Sequence, residues 1–202
     1  MNNTIEDLIV RYPALAPCKG DVYAVFGTLV DSFRAGGKAL VCGIGGSAAD
    51  AVHICGELLK TFKKPRPVPA GVASRLRPEL AAMLEGSLPA VSLVSMSGIV
   101  TAFANDVAWE SAFAQQVLGL AREGDVLIAL STSGNSPNCV AAAEVMKAKG
   151  GRSIAFTGAK ESRLSEVCDV AIRVPETETY KVQELHLPVY HALCAAIEEE
   201  MF

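Results

Sequence analysis

The chain has 202 residues, of which 50% are hydrophobic and only 6% are aromatic. This length and composition are typical of one sizeable α/β domain, and they argue against a disordered chain. The formal net charge of −4 argues against nucleic-acid binding.

A short basic cluster is the local exception to this acidic balance. It consists of Lys60, Lys63, Lys64 and Arg66. The sequence predicts that this cluster forms a solvated edge or part of the entrance for an anionic ligand, and not a nucleic-acid patch.

The sequence predicts a cytoplasmic protein. Residues 1–7 contain no basic region followed by an apolar run, as a signal peptide would, and no apolar stretch approaches membrane-spanning length. The six cysteines are scattered without a C-x-x-C pair, and we expect buried free thiols. We therefore expect neither a membrane nor a nucleic acid as a partner.

Helical and strand patterns alternate along the chain. The predicted helices are two pieces within 4–34 that are broken around 13–20, then 47–62, a short helix near 78–84, one within 106–120, 137–149, a short helix near 162–167, and 180–202 with an interruption at Pro188. The predicted strands are 39–42, 90–94, 126–130, 152–157 and 170–174. This alternation predicts an α/β fold, with a central parallel sheet between two helical layers and helices at the N-terminus.

Two of the predicted strands end in small polar loops that each open a helix. These loops are Gly43–Ser47 and Ser131–Ser136. Backbone N–H groups and hydroxyls at a helix start bind phosphate well, although the same residues can simply cap helices. Two such loops in one sheet favour a phosphate site, while the absence of a P-loop or a full G-x-G-x-x-G argues against a nucleotide.

All three histidines lie in two short segments that also carry acids and amides. His53 and Glu57 share one face of a helix at i, i+4, and Gln183 and His191 lie roughly 80° apart on the last helix. His186 points elsewhere, and we expect it to serve the core or a neighbouring subunit. The spacing is equally compatible with one active site and with buried histidines that only hydrogen-bond within a core.

Five motifs of this sequence also occur together in a known family. They are Gly43-x-Gly-Gly-Ser-Ala-Ala-Asp, His53-x-x-x-Glu57, Ser131-Thr-Ser-Gly-Asn-Ser136, Arg173-Val-Pro175 and Gln183-Glu-x-His…His191. From about residue 20 to the C-terminus the chain resembles the sugar isomerase (SIS) domain proteins. It is most similar to the phosphoheptose isomerases, which convert sedoheptulose 7-phosphate to D-glycero-D-manno-heptose 7-phosphate.

The resemblance implies a role for each matching residue. It assigns zinc binding to His53, Glu57, Gln183 and His191, and acid/base catalysis to Glu57 and His191. It assigns substrate or phosphate contacts to Ser47, Asn105, Asp106, Ser131, Thr132, Ser133, Ser136 and Gln183. It also implies a homotetramer with active sites between subunits, an oligomerisation segment at 1–35 and a SIS domain at 36–202.

The chain departs from the family pattern at three places. Ile44 occupies a position that is usually Asn, the stretch 63–89 is longer than in short members, and Tyr180-Lys181 replaces an acidic residue. These differences bear on the identity of the sugar but leave the proposed metal and phosphate residues intact. Because Gln is an unusual zinc ligand, we expect the metal to be weakly held.

Two further functions compete with the isomerase. A SIS protein that lacks catalysis could bind a protein partner, as relatives that associate with a replication initiator do. A sugar-phosphate sensor would keep the loops but lose turnover, with Ile44 as its signature. The presence of both His53/Glu57 and Gln183/His191 favours the enzyme.

Overall fold

A computed structural model describes residues 2–202. Its centre is a sheet of five parallel strands in the order β2-β1-β3-β4-β5. The strands are β1 (Ala39–Gly43), β2 (Ala90–Ser92), β3 (Val126–Leu130), β4 (Arg152–Thr157) and β5 (Val170–Arg173). Parallel strands require helical crossovers, which cover both faces of the sheet.

Ten α-helices in the described part of the chain surround the sheet. They are α1 (Asn3–Arg11), α2 (Lys19–Arg34), α3 (Gly46–Leu59), α4 (Ala70–Ala73), α5 (Pro78–Ala81), α6 (Ser97–Asp106), α7 (Ala112–Leu120), α8 (Pro137–Ala148), α9 (Arg163–Val167) and α10 (Thr179–Met201). Two 3₁₀ turns, Pro13–Cys18 and Trp109–Ser111, precede α2 and α7. Local sequence sets several starts: the Asn2 side chain caps α1, Pro137 opens α8, and Ser162 forms a capping box with Ser165.

Alternation along the buried strands produces one hydrophobic core on each face of the sheet. Val126, Ile128 and Leu130 join the core formed with α1, α2, α3 and α10. Leu127 and Ala129 join the core formed with α7, α8 and α9. Successive side chains of a strand point to opposite faces, so this pattern confirms the predicted three-layer α/β fold. The N-terminal helices belong to the first core, while their role in oligomerisation stays a prediction.

Three expectations about individual elements need correction. The sequence analysis did not predict α6, because Met96 provides no side-chain cap and no residue of this helix is buried. The interruption expected at Pro188 is also wrong, since α10 is one helix from Thr179 to Met201. Proline removes one backbone donor, but buried side chains on both sides of it, such as Val182 and Ile197, hold the helix in the core.

Arg66 is the third correction, because it does not belong to an exposed basic edge. Its side chain is fully buried and forms an ion pair with the equally buried Glu198. Lys60 and Lys63 are exposed, as predicted. The predicted thiol state is confirmed for all six cysteines, five of which are buried while Cys168 is half-buried.

Candidate active site

The two small polar loops lie side by side at the carboxyl edge of the sheet. They follow β1 and β3, which are neighbours in the sheet. Gly45 and Gly134 have φ angles of 62° and 67°, which L side chains rarely adopt, and these allow each loop to turn back into its helix. In open α/β sheets, this edge is where ligands bind.

The second loop presents a set of hydroxyls. Ser131 is buried and its Oγ lies 2.8 Å from the Oγ of Ser136, while Thr132 is half-buried and Ser133 is exposed. The backbone is held by a hydrogen bond from Gly158 N–H to the Thr132 carbonyl. A cavity of about 270 Å³ opens beside this loop, with Thr132, Ser133 and Lys160 among its lining residues.

The first loop contacts Gln183, the residue of the last helix that the sequence analysis placed at the site. Ser47 is buried in the first turn of α3, next to Gly46. A Cβ built on Gly46 would lie 2.7 Å from both polar side-chain atoms of Gln183. The glycine therefore permits the close approach that brings Gln183 from α10 to the loop.

His53 and Glu57 converge as their spacing predicts. The distance from His53 Nε2 to Glu57 Oε1 is 3.2 Å. The other carboxylate oxygen of Glu57 lies 3.1 Å from Lys60 Nζ. A charged carboxylate with a neighbouring imidazole and ammonium group can accept and return a proton.

His191 lies directly against this pair. Its ring centroid is 5.0 Å from that of His53 and 5.6 Å from that of Phe62. Burial lowers the pKa of His191 and the nearby His53 lowers it further, while Glu57 acts in the opposite direction. The Nε2 atom of His191 is buried without a hydrogen-bond partner, so its hydrogen-bonding capacity is unused within the described residues.

These residues agree with zinc binding in some respects and disagree with it in one. Between Asn2 and Phe202, no group of three or more His, Cys, Asp or Glu side chains is arranged to hold a metal ion. However, the 3.2 Å between His53 Nε2 and Glu57 Oε1 suits two ligands of one ion, since Zn–N and Zn–O distances are about 2.0–2.2 Å. The orphaned Nε2 of His191 is of a type that zinc accepts, so the donor types fit the metal.

Three predicted residues have different surroundings. Asn105 and Asp106 lie exposed at the end of α6, and the recorded side-chain hydrogen bond of Asn105 is to Asp106, at 2.8 Å. The described contacts do not bring them to the histidines. His186 is fully buried, where it contacts Phe156 and the Thr157 carbonyl, so of its two predicted positions, the core or a neighbouring subunit, it occupies the core.

Sequence reasoning missed two residues that form a chain of hydrogen bonds with His53. The Tyr190 hydroxyl lies 3.0 Å from His53 Nδ1 and donates to Asp50 Oδ1 at 3.2 Å. Asp50 precedes His53 by three residues on α3, a spacing that could have revealed it. Tyr190 is the neighbour of His191 along α10, and only the packing of the two helices brings its hydroxyl to His53.

Comparison with known proteins places this chain in a defined class. A family model described as "SIS domain" matches residues 94–196. A phosphoheptose isomerase from Rhodospirillum rubrum is 38% identical over 198 residues, which cover 98% of this chain and 94% of that protein. One from Burkholderia pseudomallei is 42% identical over 173 residues, or 86% of this chain and 78% of that protein.

The fold agrees with the sequence comparison. The solved structure of a phosphoheptose isomerase from Francisella tularensis has a TM-score of 0.80 at 28% identity and covers 98% of this chain and 96% of that chain. The protein is a SIS-domain protein. Within that class it belongs to the phosphoheptose isomerase family, which confirms the resemblance that its motifs indicated.

Proposed function

We propose that this chain is an aldose–ketose isomerase that converts sedoheptulose 7-phosphate to D-glycero-D-manno-heptose 7-phosphate. The observation that carries the proposal is the convergence of Glu57, His53 and His191. The helix that carries Glu57 and His53 begins at the first of two phosphate-type loops, which follow neighbouring strands. Membership of the phosphoheptose isomerase family supports the same substrate class.

The reaction moves one proton between carbons and one between oxygens. Glu57 removes a proton from C1 of the ketose, the C1–C2 double bond forms, and the C2 oxygen takes a proton from His191. In the resulting enediol the O1 proton leaves to His191 as the C1 carbonyl forms, and Glu57 returns its proton to C2. Each group ends in its starting state, as a general acid/base requires.

The neighbouring residues bind and orient the substrate in this proposal. The Ser131–Ser136 loop holds the phosphate through its hydroxyls and backbone N–H groups. Ser47 and Gln183 contact the sugar from the first loop, and Asn105 and Asp106 do so from a neighbouring subunit.

We further propose that His53, Glu57, Gln183 and His191 hold a zinc ion. Bound there, zinc would polarise the carbonyl and stabilise the developing oxyanion.

The proposal also includes a homotetramer that works in the cytoplasm. No helix between Asn2 and Phe202 is long and apolar enough to cross a lipid bilayer.

The test is an NMR assay of the purified protein with sedoheptulose 7-phosphate, with and without added zinc. The proposal predicts new aldose 7-phosphate signals that disappear in Glu57→Gln and His191→Ala. Shifted substrate signals without product would instead favour a sugar-phosphate sensor. An unchanged spectrum at high protein concentration would refute this substrate.

A further inference from the structure

The hydroxyl of Tyr190 joins two residues of α3 that the proposed reaction does not use together. Tyr190 is almost completely buried on α10. Its oxygen lies 3.2 Å from Asp50 Oδ1 and 3.0 Å from His53 Nδ1. The three side chains therefore form a continuous chain of hydrogen bonds from Asp50 to the imidazole.

The chemistry of these groups fixes the position of each proton. An ionised carboxylate only accepts hydrogen bonds, so Tyr190 must donate its single proton to Asp50. The lone pair of the phenol then faces His53 Nδ1, which must carry a proton of its own. Burial has the largest effect on Asp50 and raises its pKa, while the bond from Tyr190 and the nearby His53 act in the opposite direction.

The consequence appears at the other ring nitrogen of His53. With the proton on Nδ1, a neutral imidazole has a lone pair on Nε2. That lone pair faces Glu57 Oε1 at a distance of 3.2 Å, so two electron-rich atoms point at each other. Such an arrangement is stable when a cation or a substrate proton lies between them, and it is unfavourable otherwise.

We propose that Asp50 and Tyr190 are positioning residues that hold His53 in the Nδ1–H tautomer, so that Nε2 is presented as an acceptor or ligand beside Glu57. This inference deepens the proposed function, because it concerns the same site and rests on its assignment of His53. Partners of this kind on the far nitrogen of a ligating imidazole fix its tautomer and orientation.

The packing of Tyr190 strengthens this role. Its ring contacts those of both His53 and His191 edge-on, at centroid distances of 5.5 and 5.0 Å. The same residue therefore ties α3 to α10 at the point where the two histidines meet. A single hydroxyl controls the tautomer, while the ring controls the spacing.

The tautomer can be measured directly by ¹⁵N–¹H NMR of the imidazole nitrogens in the protein without metal or substrate. The chain has only three histidines, and the spectrum is recorded above their ordinary pKa of about 6.5. His186 is an internal reference, because its Nε2 lies 3.3 Å from the Thr157 carbonyl, which can only accept. We expect His53 to show a protonated Nδ1 and His186 to show a protonated Nε2.

Tyr190→Phe removes the hydroxyl and keeps the ring. We expect His53 then to move toward the Nε2–H tautomer, which can donate to Glu57, and zinc affinity to fall by about 10- to 100-fold. Tyr23→Phe is the matched control, because the Tyr23 hydroxyl also has two partners, Asn2 and Glu6, outside the candidate site. The control should leave the tautomer and the zinc affinity unchanged.

Two results would overturn the inference. One is a wild-type His53 that carries its proton on Nε2, and the other is an unchanged tautomer in Tyr190→Phe. Neither readout depends on turnover, so an inactive protein with the expected tautomers would refute the isomerase and leave this inference standing. An active enzyme with the opposite tautomer would do the reverse.

Discussion

Arg66 and Glu198 form an ion pair in which both side chains are completely buried, with 2.6 Å between Arg66 Nε and Glu198 Oε1. The guanidinium also donates to the carbonyls of Glu57 and Leu58 at the end of α3. Glu198 accepts from the backbone N–H groups of residues 62–64. The pair thus joins the end of the helix that carries Glu57 to the helix that carries His191.

Hydrogen bonding keeps Glu198 ionised in this position. Burial raises its pKa, but the donors on Phe62, Lys63, Lys64 and Arg66 outweigh that effect and hold the pKa below its usual value. Removal of Arg66 would therefore leave a buried carboxylate without its countercharge.

Arg66→Met should lower the free energy of unfolding by about 3–5 kcal/mol, because it breaks a buried pair and leaves one charge uncompensated. Urea unfolding followed by circular dichroism measures the change. Arg163→Met is the control, since its partners Glu144 and Glu166 are exposed and the loss should stay below about 1 kcal/mol. Equal losses in the two variants would contradict this account of the buried pair.

Glu57→Gln should lower kcat by about 10²- to 10⁴-fold, because an amide cannot accept the C1 proton. The KM should change little, since the amide keeps the size of the side chain. Steady-state kinetics with sedoheptulose 7-phosphate separate the two constants. Glu144→Gln, at an exposed position on α8, should behave like the wild type. Undiminished kcat in Glu57→Gln would remove Glu57 from the mechanism.

Ser131→Ala should raise KM by roughly 10- to 100-fold, because one hydrogen bond to a charged phosphate is lost. The variant also removes the partner of Ser136, whose Oγ lies 2.8 Å away. Kinetics with sedoheptulose 7-phosphate measure the effect. Ser153→Ala is a suitable control, because Ser153 lies near the start of β4, whereas the loop lies at the edge where the strands end. The KM of this variant should not change. A KM unchanged by Ser131→Ala would place the phosphate elsewhere.

The stability of the fold should depend on pH through His186. Burial lowers its pKa to about 4 from an ordinary value near 6.5. The unfolded chain therefore binds more protons between these values, so stability is retained above pH 6.5 or so and is lost as the pH falls toward about 4. The free energy of unfolding should differ by on the order of 3 kcal/mol between the two ends of this pH range.

Chemical unfolding across this pH range measures the effect. His186→Gln keeps a donor for the Thr157 carbonyl but does not titrate, so its stability should fall less steeply with acid than that of the wild type. Parallel profiles for the two proteins would show that His186 does not cause the loss.

Much of the fold followed from local patterns in the sequence. All five strands were predicted, because buried parallel strands appear as short apolar runs. The loops at Gly43–Ser47 and Ser131–Ser136 were placed at strand ends for the same reason, and helical spacing predicted the contact of His53 with Glu57. The motifs around these residues also indicated the family to which the chain belongs.

The remaining features depended on distant parts of the chain coming together. Arg66 lies in a run of basic residues, which predicts exposure, yet it is buried because Glu198, 132 residues away, neutralises it. The role of Tyr190 could not be inferred from the sequence, because the packing of α10 against α3 is what brings its hydroxyl to His53. Pro188 predicted a break in the last helix, but packing in the core keeps α10 continuous. The sequence alone determined the five strands, most of the helices and the chemical types at the site, since these depend on neighbours along the chain. Only the tertiary structure decided which charges are buried and which nitrogen of His53 faces Glu57, because those depend on partners that folding selects.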